Sequence, residues 1–106
     1  MKSKDKLTKE RIIEILREAQ PYLRERYGVK RIAIFGSCVK GRVKKDSDID
    51  ILVDFERPIG LDFIDLADYL EEILGMKVDL LTPAGVKSIK RKEIIKVIEQ
   101  NLIYVV

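Results

Sequence analysis

The sequence predicts an α/β (α+β) fold, a small mixed β-sheet flanked by helices, on three observations. Apolar runs rich in Ile, Leu and Val recur near 31–35, 47–55 and 77–81, each of strand length. Between and around them lie longer stretches whose apolar residues fall at helical spacing. Gly and Pro punctuate the junctions at Gly36, Pro58-Ile59-Gly60, Gly75 and Pro83. A length of 106 residues with 46% hydrophobic side chains fits one domain, 1–106, built on one shared core.

The elements follow in order. Ile12, Leu16, Ala19, Leu23 and Tyr27 make one helical stripe, with Thr8 as its N-cap and with a kink or restart expected at Pro21. Arg31 to Phe35 reads as a buried strand entering a turn at Gly36-Ser37. The basic stretch from Cys38 to Asp46 is expected to begin as a short helix and then loop out. Ser47 to Phe55 is the second strand, and the short connection suits antiparallel pairing with the first. A helix follows to Leu74, with Phe63, Leu66, Ala67, Leu70, Ile73 and Leu74 on its apolar face and Gly75 as its stop. Lys77 to Leu81 is the third strand, closed by Thr82-Pro83. A last helix, Ser88 to Gln100, is expected to bury Ile94, Ile95 and Ile98. The tail Leu102 to Val106 reads either as a final strand or as a docking segment.

Composition removes several chemistries. The chain has no histidine and a single cysteine, Cys38, so Ser/His and Cys/His catalysis, histidine-based zinc and an internal disulfide are all excluded. Any metal must be held by oxygen, which favours magnesium, manganese or calcium. The net charge of +3 is the difference between 21 basic and 18 acidic side chains, too small to argue for nucleic acid. No run of about 18 apolar residues suggests a membrane span, and no secretory segment follows the basic start, so a cytoplasmic location is expected. The high charged fraction, 37%, resembles that of heat-adapted proteins.

The chemistry concentrates in the middle. Gly36-Ser37 is followed by ten residues and then by Asp48-Ile49-Asp50 inside an apolar strand; Asp79 comes 29 residues after Asp50. Carboxylates embedded among Ile49, Ile51, Leu52 and Val53 are costly unless partnered, and a bound cation is an effective partner. Residues two apart on a strand face the same side about 6.5–7 Å apart, and two such carboxylates can converge on ions about 3.5–4 Å apart that clamp both oxygens of an in-line phosphoryl displacement. Asp79, on a neighbouring strand, could complete the set and help remove the proton of the attacking hydroxyl, although alone it reads equally as an edge-strand charge. Gly36 allows a tight turn close to a phosphate, and the Ser37 hydroxyl can donate to a phosphate oxygen. Lys40, Arg42, Lys44 and Lys45 lie between the two motifs, where positive charge would neutralise a triphosphate.

Gly36-Ser37, Ser47-Asp48-Ile49-Asp50-Ile51-Leu52-Val53 and Val78-Asp79-Leu80, in that order, resemble the polymerase beta-like nucleotidyltransferase superfamily, over about residues 31–82. The small size is most similar to its minimal nucleotidyltransferase (MNT) branch, often encoded beside a HEPN-domain protein. The resemblance implies the palm fold of that superfamily, Asp48, Asp50 and Asp79 as catalytic ligands of two magnesium ions, and Gly36, Ser37, Lys40 and Arg42 around the nucleotide. It implies transfer of a nucleoside monophosphate, AMP from ATP, to a hydroxyl on a partner protein with release of pyrophosphate. In the toxin–antitoxin branch the MNT protein is the antitoxin and modifies a tyrosine of its HEPN ribonuclease. Where many such proteins carry Ala-Arg-Gly after Gly-Ser, this chain has Val39-Lys40-Gly41; Lys40 keeps the charge but lacks the arginine fork, which Arg42 could replace.

Other groups read more plainly. Asp54 shares the parity of Asp48 and Asp50 but lies farther along, as a solvated strand-end charge. Asp62, Asp65 and Glu72 read as solvated charges on the polar face of a helix. Lys87, Lys90, Arg91 and Lys92 form a basic cluster, either solvated or in contact with RNA or an acidic partner. The competing function is a non-catalytic nucleotide-binding antitoxin that neutralises its partner by complex formation; homo-oligomerisation is left open.

Overall fold

Thr8 begins the first helix, α1 (Lys9–Tyr27), its hydroxyl oxygen accepting the Arg11 N–H at 3.1 Å; such a cap is worth about 1 kcal/mol. The computed structural model describes residues 7–36, 39 and 48–105. α1 runs as one element through Pro21, without the expected restart. Pro21 is exposed, while Leu16 before it and Leu23 and Tyr27 after it are buried on one face. Tertiary burial on both sides of the proline thus carries the helix past a missing N–H.

The remaining elements are β1 (Val29–Phe35), β2 (Ile49–Phe55), α2 (Asp62–Leu74), β3 (Val78–Leu81), α3 (Pro83–Lys87), α4 (Lys92–Gln100) and β4 (Ile103–Tyr104). The sheet order is β3-β2-β1-β4. β1 pairs antiparallel with both β2 and β4, and β2 pairs parallel with β3. α2 supplies the crossover that a parallel neighbour requires. It ends at Gly75, whose φ of 71° is the left-handed conformation that a side chain would resist.

Strand alternation divides the apolar residues between two faces. Ile32, Ile34, Ile49, Ile51 and Val53 meet Ile12, Leu16, Leu23 and Tyr27 of α1 and Leu66, Leu70 and Leu74 of α2 in the main core. On the other face a smaller cluster joins Ala33, Phe35 and Leu52 to Val86, with Leu81, Ile95, Ile98 and Leu102 packed against it. That second face, only partly covered, carries the aspartates.

Three expectations need correction. Thr82-Pro83 does more than close β3: Thr82 caps α3, its hydroxyl oxygen accepting the Gly85 N–H at 3.0 Å, and Pro83 occupies the first turn. The last helix therefore begins at Lys92 rather than Ser88, and none of its residues is fully buried. Ile94 is 41% exposed; only Ile95 and Ile98 turn toward the sheet. Asp65 is more than a solvated charge, since it accepts the hydroxyl hydrogen of buried Tyr27 at 2.8 Å and lies 3.4 Å from Arg26, which also reaches Asp62. The tail resolves as strand: Ile103 and Tyr104 pair with Ile34 and Ala33, and Val105 is buried, its carbonyl accepting from Arg17 Nε.

Candidate active site

β2 enters the sheet immediately after Asp48, so Asp48 is exposed at the strand mouth and Asp50 is half-buried one pleat further in. The parallel register sets Asp79 directly beside Asp50, and the antiparallel register sets Phe35 on its other side. Paired residues of adjacent strands share a face. Asp50 and Asp79 therefore both emerge on the partly covered side, in line with Leu52 and Leu81 of the smaller cluster.

The electrostatics show the gathering. The Asp50 carboxyl is pushed above its ordinary value, first by burial, then by the negative charge of Asp79 and then by that of Asp48. None of the three forms an ion pair with a cation among the described residues. Nor, among the described residues, do three acidic side chains already close around one point that could hold an ion. The carboxylates stand side by side along the strand mouths and do not form a cage.

Gly36 completes the geometry. It ends β1 at φ 77°, and a Cβ built on it would lie 2.1 Å from Asp50 Oδ2. Only glycine takes that turn at little cost, and only a residue without a side chain lets the backbone lie so close to the carboxylate. The structure thus brings Gly36 against Asp50, with Asp79 beside Asp50 on the next strand. Ser37, Lys40 and Arg42 lie outside the described residues, as do Cys38, Lys44, Lys45 and the expected short helix. Asp54 keeps the parity of Asp50 but sits farther along β2, directly across from Arg31.

Sequence reading missed α3, and it did not say which face of the sheet the last helix covers. α3 adds Val86 to the cluster that holds Phe35 and Leu52, the residues flanking Asp50 across and along the sheet, and Ile95 and Ile98 of α4 pack against that cluster. The available signal was Thr82-Pro83, a helix start three residues after Asp79.

A mixed four-stranded sheet with a glycine bend against paired strand-mouth carboxylates is the arrangement expected of a phosphoryl-transfer site. The nucleotidyltransferase domain family matches residues 9–105, and the chain belongs to that family. It is 48% identical over 100 residues to a protein of Thermococcus cleftensis named protein adenylyltransferase MntA, an alignment spanning 93% of this chain and 97% of the relative. A solved structure assigned provisionally as a minimal nucleotidyltransferase superposes with a TM-score of 0.64 at 33% identity, over 86% of this chain and 93% of the other. A crystal structure of a toxin–antitoxin with AMP-PNP gives a TM-score of 0.61 at 25% identity, over 94% of this chain and 73% of the other. Both neighbours share the mixed α/β, polymerase beta-like architecture expected from the motif. Among the described residues no helix is long and apolar enough to cross a membrane.

Proposed function

We propose that this chain transfers AMP from ATP to a hydroxyl on a partner protein, as the antitoxin of a HEPN–MNT pair acting in the cytoplasm, with residues 1–106 working as one domain. The observation that carries this reading is the Gly36 bend pressed against Asp50, with Asp79 paired alongside. The relatives' names, the nucleotide analogue in a neighbour and the motif's resemblance to the MNT branch all support it.

The residues suit two magnesium ions. Three carboxylates without a cationic partner among the described residues offer hard oxygen donors, and Asp50, raised by burial and by its neighbours, is relieved by positive charge. Their side-by-side arrangement fits ions that bind with triphosphate oxygens and water more than ions held in an all-protein cage. When bound, the ions neutralise the triphosphate and favour in-line displacement at phosphorus.

The chain does the remainder. Asp48 and Asp50 would hold the ions at the mouth of β2, and Asp79 would join them from β3. Gly36 lets the triphosphate approach beside Asp50, Ser37 donates to a phosphate oxygen, and Lys40 and Arg42 balance its charge. The acceptor hydroxyl gives its proton to Asp79 as its oxygen bonds to the α-phosphorus. The bond from that phosphorus to the bridging oxygen breaks, and pyrophosphate leaves. Phe35 and Leu52, under α3 and α4, exclude water on the inner side.

The test uses the purified chain, its co-encoded partner, magnesium and ATP labelled at the α-phosphate. Label should pass to the partner with the native protein and with neither Asp48→Asn nor Asp50→Asn. Equal neutralisation of the partner by all three proteins, with no label transferred, would establish binding alone.

A further inference from the structure

We propose that α4 and the adjoining Tyr104 form the docking surface for the acceptor protein, and that the surface takes an acidic segment carrying apolar anchors; the proposal rests on the AMP-transfer reading above. α4 is a helix with no buried residue. Ile95 and Ile98 lean on the sheet, while Ile94 is 41% and Val97 58% exposed. Spaced three apart, Ile94 and Val97 share one flank of the helix, and Lys92 and Lys96, four apart, share another. Tyr104 lies opposite Ala33 in register, hence on the same sheet face, and is 51% exposed. Large apolar side chains left together beside charge mark an interaction surface.

Charge selects the occupant. Residues 87–100, through the end of α4, contain five cations (Lys87, Lys90, Arg91, Lys92 and Lys96) against two carboxylates, Glu93 and Glu99. Among the described residues only Arg91 of these cations forms an ion pair, with Glu93 at 3.4 Å. A second copy of this chain meeting the same surface would oppose like charges, which disfavours a symmetric dimer. Ile94 and Val97 offer nothing to a phosphate backbone, which disfavours nucleic acid. An acidic segment with apolar side chains satisfies both flanks.

Position selects the role. Ile95 and Ile98 pack against the cluster of Ala33, Phe35, Leu52 and Val86, and of these Phe35 and Leu52 flank Asp50. A segment bound on the outer side of α4 is therefore held beside the face that presents the carboxylates. The surface fixes the acceptor without contributing to the chemistry, so its loss should raise KM for the acceptor and leave kcat near its native value.

The probe is a fluorescein-labelled synthetic peptide with one tyrosine among alternating Asp, Glu and Leu, set against a control with Lys in place of the acidic residues. Binding is read by fluorescence anisotropy without ATP, and AMP transfer is read separately with labelled ATP and magnesium. The acidic peptide should bind at least about tenfold more tightly than the basic one, with affinity falling as salt rises. Ile94→Asp/Val97→Asp should weaken binding at least about tenfold, while Lys92→Glu/Lys96→Glu should shift preference toward the basic peptide. Circular dichroism and melting of each variant establish that the exposed substitutions leave the fold intact. Equal binding of both peptides, or binding unchanged in both folded variants, overturns the proposal. So does a native dimer in sedimentation that Val97→Asp dissociates, or preferred binding of a single-stranded RNA oligonucleotide lost in the lysine variant. Peptide binding that responds to the variants with no AMP transfer by the native protein would sink the catalytic reading while leaving the surface standing.

Discussion

Substituting Asp50 by Asn separates what the fold needs from what the chemistry needs. Asp50 lies directly beside Asp79 in adjacent strands, a separation of about 4.7–4.9 Å along the hydrogen-bonding direction. Two like charges at about 5 Å repel by about 0.8 kcal/mol at the dielectric of water and by about 3 kcal/mol at an effective value of about 20. Asp79 is exposed and Asp50 half-buried, so the lower end applies, about 1 kcal/mol. Asn keeps the shape and removes the charge. In buffer with a chelator and no nucleotide, Asp50→Asn should therefore melt higher than the native protein, by about 4–8 °C for a domain of this size. Saturating magnesium and ATP should reverse the order: a ligand at about 100 times its Kd stabilises by about 2.7 kcal/mol, a gain the native protein keeps and the variant largely forfeits. Ion-mediated charge stabilisation is worth several kcal/mol, so transfer by the variant should fall at least about a hundredfold. Scanning calorimetry in the two buffers, alongside labelled-ATP turnover, reads all three effects. A variant that melts below the native protein in the chelator would refute the reasoning, because Asp50 would then be held by a favourable partner within the fold.

Two further substitutions probe the frame. Gly36→Ala forces a side chain into φ 77° and places its Cβ against Asp50 Oδ2; chemical denaturation should show a loss of about 1–3 kcal/mol, with transfer abolished because the carboxylate is displaced. Tyr27→Phe removes the hydroxyl that donates to Asp65 and should cost about 1–2 kcal/mol near neutral pH. The Tyr27 hydroxyl is raised above its ordinary value of 10.0 by burial first and by the Asp65 hydrogen bond second. Above that pH the unfolded chain releases the proton while the folded one retains it, so native stability should fall by up to about 1.4 kcal/mol per pH unit. The Phe variant should lack that component, and denaturation series from pH 9 to 11 check the difference in slope.

What could be read in advance was what neighbours in sequence determine. Thr8 and Gly75 mark helix ends through backbone bonds that close within a turn, and the stripes of α1 and α2 reflect one face meeting one sheet. Asp48 and Asp50 share a side because a strand alternates, whatever surrounds it. Asp79 is expected on a neighbouring strand from the order of the motifs, but its register directly beside Asp50 depends on how far α2 carries the chain before β3 docks, a length no local pattern encodes. The last helix misled for a related reason: Ile94, Ile95 and Ile98 have the spacing of a buried stripe, but the sheet face beneath is narrow and already shared with Val86 and Leu102. Asp65 resembled any surface carboxylate until α1 brought Tyr27 and Arg26 to it. Pro21 was judged on the hydrogen bond it lacks, and core contacts on either side outweighed that loss.

β3 is one of the two edge strands, four residues long and laddered on one side only. Asp79, proposed above as the third ligand, is therefore mounted on an edge of the sheet, while Asp50 sits on an interior strand paired on both sides. Local opening at that border costs less than global unfolding, so the proposed ligand set should come apart and re-form while the rest of the molecule stays folded. Amide exchange at Leu81 faster than at Ile51 would register this unequal anchorage, and occupancy of the site by magnesium and nucleotide should narrow the gap.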